Sequence, residues 1–82
     1  MAVTTVGSYI VLDPDICHGK PTFRDTRIMV SQVLDQVAKG MSWELIESEW
    51  RGKVPRAAIS EAVYLANQVL NEHFADHLLE PA

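Results

Sequence analysis

The chain has 82 residues, a single cysteine and a formal net charge of −4. That length fits one domain and excludes two, and a domain this small removes only about 60% of its unfolded surface from water. Cys17 alone excludes an internal disulfide and fits a reducing cytosol.

The opening "MAVTTVGSYIVLD" lacks a basic n-region, and its apolar run stops at Asp13. No apolar run approaches the roughly 20 residues that cross a bilayer. A soluble, cytoplasmic protein without a membrane partner is expected. In chain order, "YIVLD" (9–13) is a β-branched and aromatic run stopped by Asp-Pro, which predicts a short strand. "TRIMV" (26–30) is its candidate partner, and residues 1–8 are expected to be a flexible N-terminus.

Helical periodicity begins at Ser31, with Val33, Leu34, Val37 and Ala38 on one stripe, Ser31 as the candidate cap and Gly40 as the stop. Ser42 caps a second predicted helix, "WELIESEW", in which Trp43, Ile46 and Trp50 share a face and Met41 can staple onto Ile46. Pro55 suits the first position of a third and longest helix. Ile59, Ala62, Val63, Ala66, Val69 and Leu70 share its apolar face, and the pattern continues through Phe74 and Leu78 to Pro81. Short links between three amphipathic helices form a helix-turn-helix pattern. The expected fold is mainly α: a three-helix, homeodomain-like or winged helix-turn-helix bundle behind a short N-terminal β-hairpin or strand.

The stretch "DICHGKPTFRDTRI" (15–28) contains Gly-Lys but no phosphate loop. Pro14 stands where that motif needs its first glycine, and Pro21 stands where it needs Ser or Thr; proline also removes an amide donor. "GKP" is therefore read as a turn. One cysteine and three dispersed histidines, His73 and His77 among them, do not supply the four ligands of structural zinc. No nucleophile stands beside a base and no carboxylates pair, so neither an enzyme, a catalytic residue, a metal, a cofactor nor a small-molecule substrate is expected.

Charge is unevenly placed. Residues 1–40 carry four cations and four acids, and residues 41–60 carry three of each. The whole excess lies beyond residue 60, in Glu61, Glu72, Asp76 and Glu80. "RGKVPRAAIS" (51–60) holds Arg51, Lys53 and Arg56 without an acid. Arg56 in a first helical turn opposes the helix dipole, whereas cations plus free amides at a helix N-terminus suit a phosphate backbone. The polar side chains Ser60, Tyr64 and Asn67 follow on the outward face, where hydroxyl and amide groups can address base edges.

"DPDICHGKPTFRDTRIMV", followed by "VLDQVAKGMSWELIESEW" and an Ala-rich helix, resembles domain-of-unknown-function family 433 over about residues 9 to 70. That family's pattern is roughly DP-x-I-x-GGKP-x-h-x-GTRI-P-V, then an amphipathic helix and Gly-hydrophobic-Ser. Here His18, Asp25 and Met29 replace two glycines and a proline of the pattern. The resemblance implies a VapB-type antitoxin with a homeodomain-like helix-turn-helix, dimeric, encoded beside a PIN-like ribonuclease toxin.

Together these readings predict a helix-turn-helix domain over 9–70 and an acidic tail over 71–82 that ends the third helix. The expected function is an antitoxin-like regulator that binds its own promoter DNA. Its DNA-binding residues would be Arg51, Lys53, Arg56, Ser60, Tyr64 and Asn67. Leu70, Phe74 and Leu78 would bind the toxin. The competing expectation is an interaction and dimerisation module without DNA binding, which the net charge favours. Lys20, Arg24 and Arg27 stay open between charge beside DNA and structure; for Lys20 and Arg27 the structural role is preferred, Arg27 through an ion pair to Asp13 or Asp15.

Overall fold

The N-terminal third folds as a sheet because its β-branched runs are short and punctuated. In the computed structural model, which describes residues 3–78 and side chains as far as Phe74, β1 (Thr4–Val6), β2 (Ile10–Leu12) and β3 (Pro21–Phe23) form an antiparallel sheet in that order. Thr4 pairs with Leu12 and Val6 with Ile10; on the other edge Ile10 pairs with Phe23 and Leu12 with Pro21. The N-terminal segment expected to be flexible thus supplies an edge strand, and Thr-Thr-Val has the β-branched composition for it.

The strand partner predicted over 26–30 is not one. Only Met29 bridges, to Thr22. Residues 23–28 instead close a tight turn. The Phe23 amide donates to the Ile28 carbonyl, and the Thr26 hydroxyl donates to the Phe23 carbonyl while accepting from the Ile28 amide. The 15–20 stretch is likewise turn structure. Asp13 accepts the Asp15 amide through Oδ1, and a single 3-10 turn, Cys17–Gly19, leads into β3.

Three helices follow: α1 (Val30–Ala38), α2 (Trp43–Glu49) and α3 (Arg56–Leu78). The first starts ahead of its expected cap. Ser31 lies inside α1, and Met29 is the capping position; the Met29 amide donates to Gln32 Oε1 at 2.9 Å while the Gln32 amide donates to the Met29 carbonyl. A glutamine three residues in thus does what a serine was expected to do. Ser42 caps α2 as predicted, accepting the Leu45 amide at 3.1 Å. Pro55 stands just before α3, its carbonyl accepting from the Ala58 and Ile59 amides.

The core joins all these elements. Ile10, Phe23, Val33, Ile46, Val54, Ile59 and Ala62 are buried, and Met41, Trp43 and Trp50 pack against them. Three helices on a small antiparallel sheet make a mainly α fold.

One long-range contact fixes α3 to the sheet. Both Glu61 carboxylate oxygens accept amides of the β1–β2 turn, from Ser8 at 2.8 Å and Tyr9 at 2.7 Å. Gly7 gives them room: a Cβ there would lie 2.7 Å from the Glu61 carboxyl carbon, and φ is +80°. Glu61→Ala is expected to cost about 1–2 kcal/mol, the range for a lost pair of charge-assisted bonds at a partly exposed site. Thermal unfolding should show a melting point lower by about 4–8 °C per kcal/mol.

Candidate functional site

The α2–α3 connection is built from two left-handed residues in succession. Arg51 has φ +54° and Gly52 φ +79°. The Arg51 amide donates to the Ser48 carbonyl and the Gly52 amide to the Glu47 carbonyl, which closes the end of α2. A helix end of this kind prefers glycine in the first left-handed position. An arginine there costs about 1 kcal/mol, because its Cβ crowds the following carbonyl.

At the start of α3 the geometry departs from the sequence expectation. The Arg56 amide, one of the helix's free donors, is taken by Glu47 Oε2 at 2.9 Å. The Arg56 guanidinium stands 3.8 Å from both Glu44 and Glu47. A carboxylate from α2 therefore occupies the place offered to a phosphate, and Arg56 faces two acids of its own chain. The sequence does not display this, because residues 44 and 47 come near residue 56 only once Arg51 and Gly52 have turned the chain. The exposure of the pairs limits their stabilisation to about 0–1 kcal/mol each.

Ser60, Tyr64 and Asn67 lie as expected on one exposed stripe of α3, with Arg56 at its head. Tyr64 is 60% exposed, and its hydroxyl accepts a bond from Gln68 Nε2. Glu61 does not join this stripe; its carboxylate is turned onto the β1–β2 hairpin.

Among the described residues, Lys39 pairs with Asp35 and Arg56 with Glu44 and Glu47, while Lys20, Arg24, Arg27, Arg51 and Lys53 make no ion pair. The expected pairing of Arg27 with Asp13 or Asp15 is not formed. Instead Arg27, Arg51 and Lys53 line one open cleft of about 670 Å³ between the β3–α1 turn and the α2–α3 turn. Sequence reasoning does not place Arg27 in this group, since no motif or spacing links it to residues 51 and 53.

A second, almost wholly apolar groove of about 520 Å³ runs along the other half of α3. Leu70 and Phe74, two of the residues expected to bind a partner, line it, and Leu78 lies outside the described side chains. Leu12 and Pro21 of the sheet, Leu34 of α1, and Leu65 and Val69 of α3 are among its other lining residues. Val69 and Leu70 are 63% and 55% exposed. No helix among the described residues is long and apolar enough to cross a membrane, and no group of three or more His, Cys, Asp or Glu there could hold a metal ion.

The family model described as "Protein of unknown function (DUF433)" matches residues 10–64, from β2 into the middle of α3. The chain belongs to the DUF433 family. No curated protein and no solved structure matches it. Two of this chain's departures from the family pattern, His18 and Asp25, have φ of +57° and +63°, so the turns keep the left-handed backbone for which the pattern uses glycine.

The closed start of α3 is testable. Glu47→Ala is expected to cost about 0.5–2 kcal/mol, as the loss of a cap does. Chemical denaturation reads that cost. An unchanged midpoint would mean that Glu47 does not hold the Arg56 amide in solution.

Proposed function

We propose that this DUF433 protein is an antitoxin-like DNA-binding regulator that binds its own promoter, acts in the cytoplasm as a homodimer and pairs with a small PIN-like ribonuclease toxin. In this reading α2, the left-handed turn and α3 serve as the helix-turn-helix. The observation that carries it is the segregation of charge and apolar surface. Arg51 and Lys53, without an ion pair among the described residues, flank the start of α3, and the polar stripe Ser60, Tyr64 and Asn67 follows them. The later part of α3 has no Lys or Arg and borders the apolar groove instead. One end of the helix thus suits an anionic polymer and the other suits a protein.

Titrating the protein onto a DNA fragment from upstream of its own reading frame, across salt concentrations, tests the first half. Binding should weaken linearly on a log–log plot, with a slope of about −0.9 for each phosphate neutralised. Lys53→Ala should flatten the slope by about that amount per protomer, and Arg56→Ala by less, because Arg56 already faces Glu44 and Glu47. A slope equal in Lys53→Ala and wild type would remove this surface from the interface.

The pairing of Arg56 with two acids of its own chain and the net charge of −4 favour a second reading, an interaction and dimerisation module without DNA binding. Failure to retard the upstream DNA, with and without the product of the neighbouring reading frame, would select it.

Leu70 and Phe74 test the partner half of either reading. Both are exposed, so Leu70→Ser with Phe74→Ser should shift stability by no more than about 0.5 kcal/mol per site. Co-purification with the neighbouring gene product should be lost while the circular dichroism spectrum stays unchanged.

A further inference from the structure

We infer that the cleft between the β3–α1 turn and the α2–α3 turn is a binding site for a phosphate group, gripped by Arg27, Arg51 and Lys53. This goes beyond the regulator reading and stands without it, since the phosphate can belong to a nucleic-acid backbone or to a free nucleotide. Three observations converge on the cleft.

The first is charge without a partner. Arg27 comes from one turn and Arg51 and Lys53 from another, far along the sequence, yet all three line the same cavity. Asp25 and Glu49 line it too, but neither reaches an ion-pair distance from any of these cations. The positive charge is therefore uncommitted among the described residues. The cavity's volume, about 670 Å³, is that of small-molecule sites.

The second is backbone strain. Arg51 and Asp25 are both left-handed, and both line the cleft. Asp tolerates that backbone at small cost, but at Arg51 glycine would relieve the position. Strained non-glycine residues gather where a side chain has a role that outweighs its conformational cost. The cleft supplies such a role for Arg51, because a guanidinium forks onto phosphate oxygens and glycine cannot.

The third is an aromatic side chain held in place at the cleft. Trp50 lines the cleft, and its indole N–H donates to Gln36 Oε1 of α1 at 2.7 Å. The ring is held in place before any ligand arrives. An aromatic side chain fixed beside three cations can contact a base or sugar attached to the phosphate.

Backbone amide spectra of the ¹⁵N-labelled protein, titrated with inorganic phosphate, adenosine monophosphate and a short DNA duplex, test the site. Amides 25–28 and 51–53 are expected to shift with at least one probe. Movement with the duplex alone assigns the site to nucleic-acid backbone; movement with the nucleotide or phosphate alone assigns it to a free phosphorylated ligand. Arg51→Gly should weaken that probe by about tenfold or more while the melting temperature holds or rises, since glycine relaxes the turn. Asp25→Gly should tighten it by removing a like charge, and Arg51→Lys should recover part of the loss. Lys53→Gln provides a second weakening variant that leaves the turn alone.

Binding in Arg51→Gly and Lys53→Gln indistinguishable from wild type, or no probe moving these amides, would overturn the site. Duplex binding that persists unchanged in both variants would overturn the site and move DNA binding to another surface, without abolishing DNA binding itself. A nucleotide response without duplex binding would keep the site and remove DNA binding.

Discussion

The first half of α3 buries Ala58, Ile59 and Ala62 against α1, α2 and the sheet, while the second half leaves Val69, Leu70 and Phe74 open. At 1.5 Å per residue a helix of 23 residues spans about 34 Å. A chain of this size has too few side chains left over to cover that length. Glu61 fixes the geometry by clamping the helix to the β1–β2 turn. The face that enters the core lies around the clamp, at Ala58, Ile59 and Ala62, and every residue from Asn67 to Phe74 is exposed. The apolar groove follows from this mismatch: the sheet and α1 flank one side of α3, and no further element of the described chain closes the other. A groove of that composition disfavours contact with water and favours contact with another apolar surface.

The electrostatics have a similar origin. A net charge of −4 would ordinarily spread repulsion to phosphate over the whole surface, but several acids here are occupied locally. Glu47 serves the α3 amide, Glu61 the hairpin amides and Asp35 the Lys39 ammonium. The cations without an ion pair among the described residues then set the local field of the two turns. Total charge therefore decides little about what this surface can meet, and placement decides more. Arg56 illustrates the converse. It is the cation best placed along the sequence and among the least available in space.

Much of the fold is legible in the sequence. The strand at Ile10–Leu12, the Ser42 cap, the three helices and the end of the glycine-lysine stretch as a turn all follow from local pattern, because propensity and periodicity act within a few residues. The strand partner is not legible. Pro21–Phe23 is three residues long with a proline at its start, too short to show alternation, and the β-branched look of 26–30 comes from residues that a tight turn consumes. The α1 cap differs for a related reason: a serine is a good cap on average, but Gln32 reaches Met29 first. Of the candidate site, the exposed stripe on α3 and the apolar tail come from helical spacing. The Glu47–Arg56 contact and the meeting of Arg27 with Arg51 and Lys53 do not, since both depend on how two turns fold back.

The chain's turns share one feature that the sequence does display once the backbone is known. Cys17, His18, Asp25 and Arg51 all adopt a conformation for which glycine is the cheapest residue. At His18 and Asp25 the family pattern itself carries glycine, so the backbone requirement belongs to the fold and the side chain to this chain. Asp is among the residues that tolerate a left-handed backbone best, and its conformational cost there is small. Arginine has no such tolerance. Its position in α2's closing turn is therefore, with Cys17 ahead of β3, a point where local preference and the observed residue disagree, and local–global disagreement of that kind is expected where a surface does more than support the fold. The same turn carries the two left-handed residues that swing α3 into place, so the segment that sets the architecture also presents the charge.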